Sequence, residues 1–154
     1  MSQKKLIIFM PSIEGGGVEK NLFLISNYLG KNIPNTKLIT CDRSYNYKFS
    51  NLEIINPKTK VEVLSLRRLK YFFCFFELIK IIFNNKNFLV FAFQANLYCS
   101  IICKIFGIKI IIRSNSSPSG WKLGFFRKII FKNLLKLPDK IIVNSKEFQK
   151  EYKD

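Results

Sequence analysis

The chain contains no histidine. That absence removes the commonest general base and the commonest metal ligand together. Ser-His-Asp triads and His-based zinc sites are excluded within these 154 residues. Acidic residues are scarce: 10 Asp plus Glu stand against 26 Lys plus Arg, a formal charge of +16. Such an excess favours an anionic partner, whether nucleic acid, an acidic membrane surface or a phosphorylated substrate. Arginine is scarce as well. Only five of the basic residues are Arg, whereas nucleic-acid readers lean on Arg for base edges and phosphate forks. The abundance of Lys, Asn, Ile and Phe is what an AT-rich genome encodes whatever the function, so no nucleic-acid partner is expected. The four cysteines, Cys41, Cys74, Cys99 and Cys103, include no C-x-x-C pair. Cys99 and Cys103 share a helix face but make at most half a metal site. Buried reduced thiols in a cytoplasmic protein are expected, and no metal. The first apolar run, Leu6 to Met10, is too short for a signal-peptide core. Residues 88–106 are mostly apolar but carry Gln94, Asn96, Ser100 and Lys104, each costly at a bilayer centre. They read as a buried strand followed by a helix rather than a membrane span.

What is present is a chain with 48% apolar residues, long enough to bury a core and short enough for one domain, residues 1–154. Residues 5–11 form a continuous apolar run without alternation, the mark of a strand buried on both faces. After Gly15-Gly16-Gly17 the pattern turns helical, with Val18, Leu22, Ile25 and Leu29 at steps of four or three. Gly30 and Pro34 are expected to end that helix. Further strands are expected at 37–40, 52–55, 61–64, 88–93, 109–113 and 140–143. The rest of 45–60 reads as loop. Helices are expected at 67–83, where Lys70, Glu77, Lys80 and Asn84 make a narrow polar stripe, and at 96–106 and 121–137. A last helix follows, capped by Asn144 or Ser145, with Asn144 and Glu147 placed for a capping box. Strands alternating with helices imply βαβ units. The fold class is α/β, a Rossmann-like parallel sheet with helices on both faces.

Three segments have the residues for binding. The first is the turn of Gly15, Gly16 and Gly17 between a strand and a helix, where free backbone N–H groups and the helix dipole favour an anion. It matches neither G-x-G-x-x-G nor a P-loop. Glu19, just inside the helix, suits the dipole as well as it suits substrate contact. The second is Arg113-Ser114-Asn115-Ser116-Ser117-Pro118, which follows a strand and so lies at the carboxyl edge of the sheet, where open α/β sheets bind ligands. Gln94 and Asn96 lie at the same edge. Arg113 can fork onto a phosphate or carboxylate, with Asn115 and Ser117 beside it. The third is the helix at 121–137. Lys128, Lys132 and Lys136 repeat along one side, and Trp121 and Phe125 broaden an opposing apolar face, a pattern suited to an anionic membrane surface.

The stretches GGGVEKNLFLISNYL, FAFQAN, IIIRSNSSPSG and DKIIVNSKEFQKEY, in that order, resemble the N-terminal domain of family 4 glycosyltransferases, which have the GT-B fold. The last is similar to the segment of pattern aD-x-hh-x-xS that closes that domain. The resemblance implies metal-free, retaining transfer of a sugar from a nucleotide-sugar to an acceptor. Such acceptors are often lipid-linked saccharides or polysaccharide precursors at the inner leaflet of the cytoplasmic membrane, with the enzyme peripheral to it. The family's first domain mainly binds the acceptor, while its glycine-rich loop, here Gly15, Gly16 and Gly17, approaches the donor diphosphate. The resemblance also places Arg113 and Asn115 at the cleft edge. Several relatives carry a His near that loop; this chain has none. The family's second domain, which holds the nucleotide and an E-x7-E carboxylate pair, has no counterpart in these residues. The chain is therefore expected to be truncated or half of a split enzyme, without transfer activity unless a C-terminal domain or partner chain completes it. A non-catalytic Rossmann-like module that binds an anionic ligand or a partner protein is the alternative.

Overall fold

The computed structural model describes residues 5–58, 66–114 and 125–152. Six strands form one sheet: β1 (Lys5–Phe9), β2 (Lys37–Ile39), β3 (Glu53–Ile55), β4 (Phe88–Ala92), β5 (Lys109–Ser114) and β6 (Lys140–Val143), in the order β3-β2-β1-β4-β5-β6. Every neighbouring pair is parallel. Parallel pairing needs crossovers, and helices provide them: α1 (Gly17–Asn32), α2 (Arg67–Asn84), α3 (Asn96–Ile105) and α4 (Phe125–Leu134), with α5 (Lys146–Glu151) after the last strand.

The unbroken apolar runs are explained by burial on two sides. In β1, Ile7 and Phe9 face a core that takes Cys74, Leu78 and Ile82 of α2 and Cys99 and Cys103 of α3. Leu6 and Ile8 face the other core, under Leu22 of α1, with Val18, Ile25 and Leu29 packed at its margin. Each fully buried Leu or Ile contributes about 1.5–3 kcal/mol, so the central strands carry most of the apolar stabilisation. Residues 88–106 divide into β4 and α3. Among the described residues no helix is long and apolar enough to cross a membrane.

Two local expectations need correction. Gly30 lies inside α1 and does not end it. A Cβ there would sit 2.6 Å from the carbonyl oxygen of Asn51, so glycine permits close approach of the chain leading to β3. Residues Arg43–Lys48 form a 3-10 helix in place of open loop. Of the two candidate caps of α5, the structure uses Ser145, whose Oγ accepts the Phe148 N–H at 3.1 Å, while Asn144 accepts from Arg113. Lys70, on the polar stripe of α2, turns its ammonium to the sheet edge, where it is largely shielded. The short strand near 52–55 is present as β3, and Gly107, with φ +70°, follows α3 in the left-handed region that favours glycine. The expected strand at 61–64 lies outside the described residues.

Candidate functional site at the carboxyl rim

Because all six strands run the same way, their carboxyl ends share one rim. The strand order reverses between β1 and β4, and in open α/β sheets the crevice at such a reversal receives ligands. The glycine turn leaves β1 at this point and Gln94-Ala95-Asn96 leaves β4 beside it. Side chains stitch the rim together. Gln94 Oε1 accepts the Ser12 N–H at 2.9 Å, joining the β1 and β4 turns. Asn96 Nδ2 donates to the Arg113 carbonyl at 2.7 Å, joining β4 to β5. Arg113 Nη2 donates to Asn144 Oδ1 at 2.9 Å, joining β5 to β6.

In the glycine turn, Gly15 has φ +85°, and an added Cβ would also meet the Tyr45 hydroxyl at 3.2 Å. Gly17 is different, since a Cβ there meets nothing within 4 Å. The fold requires glycine at Gly15 and leaves the backbone at Gly17 open to close approach. Glu19 is 8% exposed, and its Oε1 accepts the Glu14 N–H at 3.4 Å. Of its two sequence roles, the bracing one has partners here.

Beyond β2 the rim is closed by a charge pair. Lys70 Nζ lies 2.6 Å from Asp42 Oδ1, with both side chains mostly shielded. Asp42 Oδ2 accepts the Ile13 N–H at 2.7 Å, and Lys70 also donates to Ser12 Oγ at 3.4 Å. Outside that pair, Asn56 Nδ2 donates to the Thr40 carbonyl at 2.8 Å and Asn46 Nδ2 to Asn56 Oδ1 at 2.8 Å, while Asn46 Oδ1 is buried without a partner.

The β4–β5 side is left open. A cleft of about 300 Å³ is lined by Asn96, Tyr98, Arg113, Ser114, Phe131 and Tyr152, among others. Arg113 is only 6% exposed, and desolvation lowers its pKa. Its guanidinium lies over the Phe93 ring, 5.6 Å from the centroid. Its Nη1 and the Asn96 Oδ1 are buried without a hydrogen-bond partner. A buried polar group left unsatisfied costs roughly 1–3 kcal/mol, more when charged. Ala95, between the two elements, adopts φ +55°, a strained conformation for a residue with a Cβ. Ser114 Oγ and the Tyr152 hydroxyl lie 2.6 Å apart and close one wall.

Of the residues singled out in the sequence, Gly15, Gly16, Gly17, Gln94, Asn96 and Arg113 lie on this single rim. Asn96 and Arg113 are in direct contact through the Asn96 side chain. Asn115, Ser117 and Trp121 lie outside the described residues. Phe125 and Lys128 fall on α4, and Lys132 and Lys136 are exposed. Sequence reasoning missed Tyr152, Phe131 and the Asp42–Lys70 pair. Tyr152 had a readable signal, since it follows a short helix after the last strand; the pair, far apart in sequence, had none.

All four cysteines are buried and unbridged. Cys41 and Cys74 place their sulfurs 3.4 Å apart. A hydrogen bond from Cys74 lowers the pKa of Cys41, while the same bond, then burial, raises that of Cys74. Burial, then the contact with Cys103, raises Cys99. Among the described residues no cluster of three or more His, Cys, Asp or Glu side chains could hold a metal ion.

No family model and no curated protein matches the sequence. Solved structures do. HepE of Anabaena, in complex with UDP and glucose, superposes with a TM-score of 0.63 at 16% identity, covering 97% of this chain and 40% of HepE. A UGT of Glycyrrhiza uralensis, complexed with glycyrrhetinic acid 3-O-monoglucuronide, also gives 0.63, at 8% identity, over 97% of this chain and 46% of its own. A UGT transferase of Siraitia grosvenorii, in complex with UDP, gives 0.52 at 11% identity, over 75% of this chain and 29% of its own. The fold is thus the Rossmann-like α/β arrangement found in these structures, and the chain spans under half the length of each of them.

Proposed function

We propose that these residues are the acceptor-side domain of a family 4 glycosyltransferase. The domain works with a second, nucleotide-sugar-binding domain to transfer a sugar to a lipid-linked or saccharide acceptor, with retention at the anomeric carbon. The observation that carries the reading is the open cleft at the carboxyl rim, where Arg113 Nη1 and Asn96 Oδ1 are buried without partners. A ligand presenting an acceptor to the guanidinium and a donor to the amide satisfies both. A saccharide bearing hydroxyls and a phosphate has both kinds of group. The half-length match to sugar-transferring folds supports the two-domain reading. In this arrangement Gln94 and Asn96 orient the acceptor, Arg113 neutralises its negative charge, and the backbone at Gly16 and Gly17 meets the donor diphosphate. Asn115 and Ser117 extend the Arg113 side of the site. No metal or other cofactor is required beyond the donor nucleotide-sugar. The setting is the cytoplasmic face of the membrane, with the acceptor presented from the inner leaflet.

The test is a transfer assay with a panel of nucleotide-sugars and polyprenyl-diphosphate-linked acceptors. It is run on the chain alone and on the chain joined to a nucleotide-sugar domain, with product anomers read by NMR. The expected result is acceptor binding without turnover by the chain alone, and retained configuration in the joined form. Turnover by the chain alone would overturn the two-domain reading. Anionic-ligand binding with no turnover in any form would favour a non-catalytic binding module.

A further inference from the structure

We propose that Cys41 and Cys74 form a redox-sensitive pair, closed to a disulfide by a peroxide and reopened by a dithiol, which resets the Asp42–Lys70 side of the carboxyl rim. The two residues lie 33 positions apart on different elements: Cys41 follows β2, and Cys74 is on α2. Their sulfurs are nevertheless 3.4 Å apart, and both thiols are free. A bonded pair needs about 2.05 Å, so closure asks only for a small movement of α2 against the end of β2.

The pair is asymmetric, as stepwise oxidation requires. Cys41 is 5% exposed and Cys74 is 0% exposed, so an oxidant entering from the rim meets Cys41 first. The hydrogen bond from Cys74 lowers the Cys41 pKa against burial and Asp42, with Lys70 and Arg43 adding to it. The same bond and burial keep the proton on Cys74. The thiolate is the reactive form. The Cys41 thiolate attacks one peroxide oxygen, the O–O bond breaks, and hydroxide leaves, giving a sulfenic acid. That hydroxide recovers the proton Cys41 shed. The Cys74 sulfur then attacks the Cys41 sulfur and expels a second hydroxide, which takes the Cys74 proton. Two thiols thus lose two electrons, and one peroxide becomes two waters. A dithiol reverses the bond by two exchange steps, itself becoming a disulfide.

The bond acts on the rim because both cysteines are tied to its charge pair. Cys41 adjoins Asp42, and its thiol donates to the Lys70 carbonyl at 3.5 Å. Cys74 stands one turn after Lys70 on α2. Asp42 holds the Ile13 N–H and Lys70 reaches Ser12 Oγ, so drawing α2 onto β2 shifts the loop that leads to the glycine turn. Cys99 and Cys103 lack this setting: both are fully buried within α3, and burial holds the Cys99 thiol protonated.

The test treats the folded chain with hydrogen peroxide, then alkylates it for intact mass and peptide mapping, with the Ser12 and Ile13 amide signals read by NMR. The expected product has lost two hydrogens, keeps two of the four thiols, and carries a Cys41–Cys74 cross-link that dithiothreitol removes. The Ser12 and Ile13 signals should move on oxidation and return on reduction. C99S/C103S should form the cross-link within about threefold of the wild-type rate. C74S should lose it, and C41S should consume peroxide at least about tenfold more slowly. The wild-type map decides the matter even where a variant does not fold. Four thiols surviving in the folded chain, a Cys99–Cys103 bond instead, or a Cys41 sulfinic acid without the cross-link would overturn the proposal. A cross-link that leaves Ser12 and Ile13 unmoved would remove its action on the rim. None of these readouts depends on sugar transfer.

Discussion

The two ends of the carboxyl rim differ in how they spend their hydrogen-bonding groups. On the β2 side, Asp42 and Lys70 satisfy each other, and Asp42 also holds the Ile13 N–H. On the β4–β5 side, Arg113 and Asn96 make one side-chain bond each to their neighbours and keep one buried polar atom each without a partner. Both regions have charged side chains largely removed from water at strand ends. One pairs its charges in a closed network that fixes the loop after β1, and the buried atom left over on that side is a neutral amide oxygen, Asn46 Oδ1. The other carries an unmet electrostatic cost beside a cleft, as a site must if its last partner is a ligand.

That contrast sets the order of mutational effects. D42A should have the largest effect, a loss of about 3 kcal/mol in urea denaturation, because it leaves a shielded ammonium and a backbone N–H without their acceptor. The double variant D42A/K70M should recover most of that loss, and failure to do so would deny that the pair is coupled. G15A comes next, at about 1–2 kcal/mol, through its left-handed backbone. R113M should cost no more than about 1 kcal/mol, since a buried cation with an unmet donor contributes little net stability, while ligand binding is lost. A cost near that of D42A would make Arg113 a structural residue and erase the contrast. The smallest effect is at Gly17, where G17A should gain about 0.5 kcal/mol by restricting the unfolded chain yet weaken nucleotide-sugar binding in the two-domain form. Unchanged binding there would take the glycine turn out of the site.

The strands and the sheet class were legible because burial on both faces writes itself as unbroken apolar runs such as residues 5–11. The rim was legible because Gly15, Gln94 and Arg113 each follow such a run. Pairings across the rim were not. Lys70 fits a local polar stripe, and only its approach to Asp42, 28 residues earlier, reveals its role. Asn144 sits where a capping residue belongs, and the guanidinium of Arg113 claims it instead. Phe72, Phe76 and Phe83 are apolar like the residues that α2 buries, yet helix geometry lets only one side of α2 reach the sheet and leaves these three exposed.

The most direct measurement is an NMR titration of the isotope-labelled chain with UDP, glucose 1-phosphate and a polyprenyl-phosphate analogue, following the side-chain signals of Asn96, Arg113 and Asn56. A rim that reserves its free valence for a ligand predicts saturable shifts at Asn96 and Arg113 with a phosphorylated saccharide or lipid, and none at Asn56, whose amide is bonded at both ends. Shifts confined to the β2 side, or no shift with any of the three, would contradict it.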